Sequence, residues 1–154
     1  MQARPKEYRY KVGVIWESER RGFLNAAGKP AIRVATPPEF KGHEGVWTPE
    51  DLFVAAQATC FMMTFLGTAA HRGLRFEAFE AEAEGTLARP DGQFLFTEIA
   101  IKARVALPPD GDRALAREVI GFAEKDCLIT HSIVSRVRVE PTILVLKNHA
   151  APAA

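Results

Sequence analysis

Cysteine is scarce in this sequence, and its charges nearly cancel. Only two of the 154 residues are cysteines, Cys60 and Cys127. In a reducing compartment a structural disulfide is disfavoured, which leaves inert core thiols, metal ligands or redox groups as the alternatives. The 20 basic and 19 acidic residues are scattered and leave a net charge of +1. The composition therefore gives no sign of a surface for nucleic acid or anionic lipid.

Several sequence features of other protein classes are also absent. Residues 1–11 contain no apolar segment of the signal-peptide type, which predicts a cytoplasmic protein. No Gly-x-Ser-x-Gly elbow occurs, so a serine hydrolase is not supported. The chain has no internal repeat, and its length suits one domain. We expect a single domain over residues 1–147 and a disordered tail over residues 148–154.

Charge is absent from one long stretch in the middle of the chain. No residue from Leu52 to Ala70 is charged, and helix boundary signals flank this stretch. Thr48 fits an N-cap that forms a capping box with Asp51, and Gly73 fits a left-handed C-cap. A helix without a polar stripe is not amphipathic, which predicts that it is enclosed on nearly all sides.

An uncharged run of this length also meets the length criterion for a membrane span. The sequences on both sides of it, however, alternate like strands that need a soluble partner surface. Polar or small residues also interrupt the run, namely Gln57, Thr59, Thr64, Gly67 and Thr68. We therefore interpret the stretch as the central helix of a folded domain.

The remaining sequence shows strand patterns and one more helix pattern. The predicted strands cover residues 8–16, 23–25, 31–35, 76–87, 93–107 and 136–146, and the second helix covers residues 112–126. Pro141 interrupts the last strand, which predicts a bend or an edge position. The order of elements predicts an α+β domain with two antiparallel sheets around two central helices.

One such domain offers too little surface to cover the central helix on every side. The predicted cover consists of two small sheets and one other helix. A dimer that places the helices between shared sheets would supply the rest. The sequence therefore predicts an obligate, intertwined homodimer.

The cysteines alone leave several roles open. Cys60 lies in the middle of the helix among apolar residues and would, by burial alone, be a weak and inert acid. Cys127 lies at a helix end beside a loop, where it could complete a dithiol pair. His43 and His131 could join both cysteines in a metal site, but no close paired spacing supports this, so neither a metal nor another cofactor is expected. A cysteine hydrolase with His131 as the base is a further alternative.

Three segments together resemble the OsmC/Ohr peroxidases (osmotically inducible protein C and organic hydroperoxide resistance protein). Residues 48–56, TPEDLFVAA, and 58–61, ATCF, resemble the start of that family's central helix, with Glu50 ten residues before Cys60. Residues 123–133, AEKDCLITHSI, resemble the family's second cysteine motif, which often reads Cys-Pro-Val-Ser. The order of strands and helices agrees from about residue 7 to 147, so the resemblance covers nearly the whole chain.

This resemblance implies a cytoplasmic, intertwined homodimer that reduces organic hydroperoxides through two cysteines. Cys60 would be the peroxidatic thiol and Cys127 the resolving thiol. Glu50 would orient an arginine that holds the reactive thiolate. A small or protein dithiol would act as the reductant, with no nucleic acid, membrane or cofactor involved.

The arginine is the residue that differs most between branches of the family. In Ohr-type members it precedes a glycine by two residues in the first turn, which matches Arg20 before Gly22. Arg21 and Arg33 are the substitutes. In OsmC-type members it lies ten residues before the glutamate, where this sequence has Phe40. The choice between the two branches therefore stays open.

The implied roles agree with thiol chemistry. An apolar site raises the pKa of a cysteine, so a cation must lie beside Cys60, and arginine stays charged there. Attack on a peroxide gives an alcohol and a sulfenic acid at Cys60, which Cys127 converts into a disulfide. Nearby phenylalanines and methionines would favour a fatty or aromatic hydroperoxide, although Met62 and Met63 also fit plain core packing. A catalytically silent member of the same fold is the other alternative.

Overall fold

A computed structural model describes residues 6–147. The chain divides into two compact units, and the boundary falls between Leu52 and Phe53. The predicted single domain over residues 1–147 stays a prediction. The predicted disordered tail, residues 148–154, lies outside the described residues.

Three strands form an antiparallel meander in the first unit. They are β1 (Gly13–Ser18), β2 (Arg21–Asn25) and β3 (Ile32–Ala35), and β2 lies in the middle. Gly28, with a φ of 72°, lies in the turn between β2 and β3, a conformation that glycine adopts without steric cost. The predicted three-stranded meander is confirmed.

The first strand differs from its prediction. A strand over residues 8–16 with one buried face was expected, but β1 begins at Gly13 and residues 6–12 lie outside any strand. Val14, Ile15 and Trp16 are 77%, 63% and 74% exposed, so neither face of β1 is buried. The alternation of apolar residues predicts a covering layer, and the described part of the chain supplies none.

The central helix, α1, runs without interruption over Pro49–Arg72. At its start, the Thr48 amide donates to Asp51 Oδ2 at 3.0 Å, and the Asp51 amide donates to Thr48 Oγ1 at 3.1 Å. Two otherwise unpaired groups of the first turn are thereby satisfied. Gly73 has a φ of 71° and ends the helix. Both predicted helix ends are confirmed.

The second unit contains most of α1, three strands and the second helix. Strands β4 (Ala78–Ala88) and β5 (Leu95–Leu107) form a long antiparallel hairpin. Helix α2 (Arg113–Asp126) and strand β6 (Arg136–Val145) follow. The Asp112 side chain accepts a hydrogen bond from the Leu115 amide at 2.9 Å, which confirms the predicted N-cap of α2.

Strand β6 corrects the prediction of two antiparallel sheets. It pairs with β5 in parallel, from Glu98 opposite Arg136 to Leu107 opposite Val145, so the second sheet is mixed. The connection explains the direction, because α2 returns the chain along the sheet and a helical crossover joins parallel strands. β6 lies at the sheet edge, as Pro141 predicts. The α+β class, with two sheets and two helices, is confirmed.

The core of the second unit lies between the two helices and one face of β5. The predicted apolar face of β5 is at most 1% exposed and consists of Ile99, Ile101, Ala103, Val105 and Leu107. Phe61 and Phe65 from α1 and Val119 and Ala123 from α2 complete this core. The pattern of β5 was thus sufficient to identify the face that packs on the helices.

Within the described chain, α1 is covered on one face only. Its buried residues are Gln57, Phe61, Phe65 and Ala69. The opposite face is exposed and uncharged, with Ala56, Thr59, Met63, Gly67 and Ala70 at helical spacing. This corrects the expectation that the helix is enclosed on nearly all sides.

Helix α1 is also long and apolar enough to cross a membrane, by length and composition. The core helices of soluble proteins meet the same criterion. In this structure the Phe65 ring stacks on Phe79 at 4.5 Å between centroids and meets Phe76 edge-on at 5.3 Å. Such aromatic packing on a sheet agrees with a central helix of a folded domain.

Candidate functional site

Two free thiols meet where α1 passes the end of α2. Cys60 lies in the middle of α1 and is half-buried, whereas Cys127 directly follows α2 and is fully buried. The two side chains are close enough to share a hydrogen bond. The structure therefore brings together the two cysteines that the family resemblance pairs.

The turn after α2 directs backbone donors at both sulfurs. Cys127 is the C-cap of α2, and a short 3-10 turn follows it. The N–H groups of Leu128 and Ile129 interact with the Cys60 sulfur, and those of Ile129 and Thr130 interact with the Cys127 sulfur. Successive N–H groups that converge in this way form a concavity suited to an anion. At this place the anion is a thiolate.

Side chains hold this turn against the end of α2. His131 Nε2 lies 2.7 Å from the Lys125 carbonyl, and Ser132 Oγ donates to the Leu128 carbonyl at 2.8 Å. These contacts satisfy carbonyls that a helix end leaves without partners. Because a carbonyl only accepts, His131 Nε2 carries the proton in this contact, and this nitrogen does not act as a base toward Cys60.

The other histidine considered for a metal site lies in the first unit. His43 Nε2 is 3.3 Å from Glu19 Oε2. Among residues 6–147, no group of three or more His, Cys, Asp or Glu side chains is arranged to hold a metal ion.

Gln57 is a site residue that the sequence analysis did not identify. It lies one turn before Cys60 on α1 and is 1% exposed. Its Nε2 donates to Cys127 Sγ at 3.5 Å and to Thr130 Oγ1 at 2.8 Å. Its Oε1 is buried and has no hydrogen-bond partner among the described residues. The only signal in the sequence was a polar residue inside an otherwise apolar run.

The surroundings shift the two thiols in opposite directions. Burial raises the pKa of Cys60, and the hydrogen bond to Cys127 and its charge raise it further, against the N–H groups of Ile129 and Leu128. Burial also opposes ionisation of Cys127, but hydrogen bonds from Cys60, Thr130 and Ile129 outweigh it and lower the Cys127 pKa. The pair therefore loses its first proton at Cys127.

The arginines predicted to activate the thiolate lie in the first unit. Arg20 lies between β1 and β2, and its Nη1 donates to the Phe40 carbonyl at 2.5 Å. Arg21 Nη2 pairs with Glu19 Oε2 at 3.0 Å, while its Nε is buried without a partner among the described residues. Both arginines line an open groove of about 300 Å³ that also includes Pro49.

The predicted glutamate is next to that proline in sequence. Glu50 Oε2 is buried and has no hydrogen-bond partner among the described residues. No ion pair in the described chain joins Glu50 to Arg20 or Arg21. Arg33, in contrast, is committed to Glu17, with Nη2 at 2.8 Å from Oε1 and Nε at 3.2 Å from Oε2. The roles of Arg20 and Glu50 in the site stay predictions.

The apolar side chains that follow Cys60 divide between the core and the surface. Phe61 is fully buried, with its ring centroid 6.2 Å from that of Phe79. Met63 is 55% exposed on the uncovered face of α1. Plain core packing thus describes Phe61 but not Met63, which is available to a substrate or to a second subunit.

Comparison with known proteins gives one family and several relatives. The family whose sequence model matches residues 42–142 is described as OsmC-like protein. The chain is 27% identical over 117 residues to the uncharacterized protein YmaD of Bacillus subtilis (strain 168), a match that covers 74% of this chain and 78% of YmaD. It is 28% identical over 101 residues to the peroxiredoxin OsmC of Escherichia coli (strain K12), covering 66% of this chain and 69% of that protein.

The fold is similar to that of solved structures. An OsmC-like protein of unknown function from Vibrio cholerae, VCA0330, superimposes with a TM-score of 0.82 at 21% identity. The match covers 88% of this chain and all of the other (100%). At this identity the likeness concerns the fold, and it confirms the predicted OsmC-like arrangement of two sheets and two helices.

Proposed function

This chain belongs to the OsmC-like protein family, and on that premise we propose that it is a thiol-dependent peroxidase. It reduces organic hydroperoxides to alcohols in the cytoplasm and serves in defence against oxidative stress. Cys60 is the peroxidatic thiol and Cys127 the resolving thiol. The similarity to a protein named peroxiredoxin supports this chemistry.

The observation that carries the proposal is the contact between two free thiols of unequal exposure. Half-buried Cys60 can meet a hydroperoxide that arrives from solvent, whereas Cys127 is fully buried. Cys60 is therefore the thiol that reacts first. Cys127 is already close enough to hydrogen-bond Cys60, so it can reach a product formed on that sulfur.

The reaction proceeds in three balanced steps. The Cys60 thiolate attacks the hydroperoxide ROOH, the O–O bond breaks, and the products are a sulfenic acid at Cys60 and the alcohol ROH after protonation of the alkoxide. The Cys127 thiolate then attacks the sulfenic sulfur, which forms the disulfide and releases hydroxide, and hydroxide takes up a proton to give water. A small or protein dithiol reduces the disulfide by exchange.

The surface next to Cys60 favours a hydroperoxide with an apolar group. The exposed face of α1 carries no charge near the thiol, and Met63 and Thr59 lie on it. An apolar substituent that covers this face gains roughly 25 cal/mol for each Å² removed from water. Hydrogen peroxide gains nothing comparable, so a fatty or aromatic hydroperoxide is the better substrate.

A homodimer is part of the proposal, because two apolar surfaces are uncovered in the chain. One is the stripe of small, uncharged residues on α1, where a second helix can approach closely. The other is β1, where Trp16 is 74% exposed and Val14 77%. A second copy of this chain offers the same surfaces, and a two-fold interface covers each with its counterpart or with the other.

The test is thiol consumption by cumene hydroperoxide. One equivalent should convert both free thiols into an intrachain disulfide, seen by thiol titration and intact mass. Cys127→Ser should form a sulfenic acid at Cys60 and then over-oxidise, because no thiol resolves it. Cys60→Ser is the matched control and should not consume peroxide. Unchanged thiols in both the native protein and Cys127→Ser would contradict the proposal and leave a catalytically silent member of the fold.

A further inference from the structure

The two thiols share their hydrogen bond unequally. The Cys127 sulfur accepts from Gln57 Nε2 at 3.5 Å and interacts with the Thr130 hydroxyl and with backbone N–H groups of the turn. The Cys60 sulfur has backbone N–H groups of the same turn and the Cys127 thiol. Side-chain donors other than the thiols are thus found at Cys127.

We propose that in the reduced protein Cys127 holds the thiolate of the pair and Cys60 the shared proton, with Gln57 and Thr130 as positioning residues for that thiolate. The inference rests on the proposed function only for its consequence in turnover. The placement of the proton is a property of the reduced protein alone. It gives Cys127 a role before the resolving step.

The orientation of the Gln57 amide supports this placement. With Nε2 directed at Cys127 Sγ and Thr130 Oγ1, the buried Oε1 is left without a partner among the described residues. An unpaired buried acceptor is unfavourable. The opposite orientation would let Oε1 accept from a protonated thiol and from the hydroxyl. An acceptor sulfur that carries negative charge offsets the unpaired oxygen, since hydrogen bonds to charged groups are the stronger ones.

Thr130 completes the donor set. Its Oγ1 accepts from Gln57 Nε2 at 2.8 Å, which leaves its hydrogen free for Cys127. The turn that carries Thr130 also supplies its own backbone N–H to the same sulfur. Among the largest influences on the two sulfurs, the only other titratable group is the partner thiol. No charged side chain is needed to explain the asymmetry.

In turnover this proton would serve twice. As a hydroperoxide approaches, the proton passes from Cys60 to Cys127, and the Cys60 thiolate attacks the peroxide. Cys127 then protonates the departing alkoxide to give the alcohol and becomes a thiolate again. That thiolate attacks the Cys60 sulfenic acid and releases hydroxide. The pair starts with one proton and one negative charge, and the products are a neutral disulfide, an alcohol and hydroxide, so atoms and charge balance.

The arginine predicted for this family would act on the first of these events. A guanidinium beside Cys60 lowers the free energy needed to move the negative charge from Cys127 to Cys60. It therefore assists the proton transfer without having to hold Cys60 as the resting thiolate.

The test is an NMR titration of isotope-labelled cysteine in the reduced protein, with each signal assigned by its loss in the Cys60→Ser or Cys127→Ser variant. Cys127 should titrate at lower pH than Cys60. Gln57→Met and Thr130→Val should each raise the Cys127 pKa by about one unit or more, the effect of losing a hydrogen bond to a charged group. Thr68→Val is the matched control, because its hydroxyl donates to the Thr64 carbonyl on α1.

Cys127→Ala separates the two placements by the sign of its effect. If Cys127 holds the thiolate, its removal takes away a negative neighbour and the Cys60 pKa falls. If Cys60 holds the thiolate, the removal takes away a donor and the Cys60 pKa rises, which would overturn the inference. Earlier titration of Cys60 in the native protein would overturn it too. No hydroperoxide enters these measurements, so an inactive protein and a wrong proton placement are distinguishable results.

Discussion

At the scale of single residues, Cys60 needs help to ionise. Burial and the neighbouring Cys127 both raise its pKa, and the backbone N–H groups beside it do not compensate. A cation is the remaining means by which a peroxidatic thiolate forms at neutral pH. Arg20 is the predicted source of that charge.

We therefore expect Arg20→Ala to raise the Cys60 pKa further, toward or above the free value of about 8.5. Each unit of increase above the working pH reduces the thiolate fraction about tenfold, so oxidation of Cys60 by hydroperoxide slows at neutral pH. The rate of Cys60 alkylation against pH measures the shift directly, and the rate of thiol loss after mixing with hydroperoxide measures its consequence.

Two other arginines of the first unit serve as controls. Arg33→Ala removes a surface ion pair with Glu17 and should leave the pH profile of Cys60 unchanged. Arg21 also lines the groove, and its Nε lacks a partner among the described residues. A profile that moves in Arg21→Ala but not in Arg20→Ala would transfer the role to Arg21.

The sequence revealed these residues to different degrees for a physical reason. Cys60 and Cys127 were candidates because a thiol is chemically reactive wherever it lies, and their pairing came from the family resemblance. Gln57 carries no such chemistry by itself. Its role depends on a contact with Cys127 and Thr130 across the fold, and local periodicity contains no information on that contact.

At the scale of the elements, the packing of α1 on the β4–β5 hairpin depends on one glycine. A Cβ at Gly85 would lie 2.5 Å from Val54 Cγ2 and 2.8 Å from Phe96 Cε1. Phe96 is itself stacked on Phe53 of α1, with centroids 4.8 Å apart. The space that a larger side chain would need is therefore already filled by the helix and by the neighbouring strand.

We expect Gly85→Ala to reduce the free energy of unfolding by about 1–3 kcal/mol, the usual effect of overpacking. Urea denaturation measures it. Val54→Ala removes the nearer of the two colliding groups, so the double variant should lose less stability than the sum of the single variants. Additive losses would show that the contact with Val54 is not the cause.

Gly121→Ala is the control for adding a methyl group to a glycine. Gly121 lies inside α2, and a Cβ there meets nothing within 4 Å. The substitution should increase the free energy of unfolding by about 0.5–1 kcal/mol, because alanine loses less backbone entropy in a helix. Destabilisation by both substitutions would argue against a specific collision at Gly85.

The elements also show what local sequence signals can and cannot predict. The ends of α1 follow from Thr48, Asp51 and Gly73, which act within one helical turn. The buried face of β5 follows from simple alternation. The parallel direction of β6 does not, because it depends on where α2 returns the chain. The exposure of β1 does not either, because its apolar residues indicate a covering layer without naming its source.

At the scale of the whole molecule, the position of Glu50 relative to Cys60 bears on the assembly. Both lie on one continuous helix, ten residues apart, which corresponds to roughly 15 Å along its axis. One arginine side chain reaches about half that distance, so within a chain it cannot bridge the carboxylate and the sulfur. We therefore expect Glu50 to serve the partner's Cys60 in a homodimer, so that each active site contains residues of both chains.

Mixed dimers test this arrangement without a structure of the complex. Homodimers of Cys60→Ser should be inactive, and homodimers of Glu50→Gln strongly impaired. If Glu50 acts across the interface, a heterodimer of the two variants has one site with both substitutions and one site with neither. It should recover about half the activity of the native dimer, measured as hydroperoxide consumed per dimer.

The alternative arrangement gives the opposite result. If Glu50 serves its own chain's Cys60, each site of the heterodimer keeps one substitution, and activity stays no higher than the mean of the two homodimers. Met63→Glu provides an independent control, because it places a charge on the uncovered face of α1, where Met63 is 55% exposed. It should dissociate the dimer in sedimentation and abolish activity, whereas Thr142→Glu on exposed β6 should do neither. A fully active Met63→Glu monomer would exclude a shared site, because every group needed for turnover would then come from one chain.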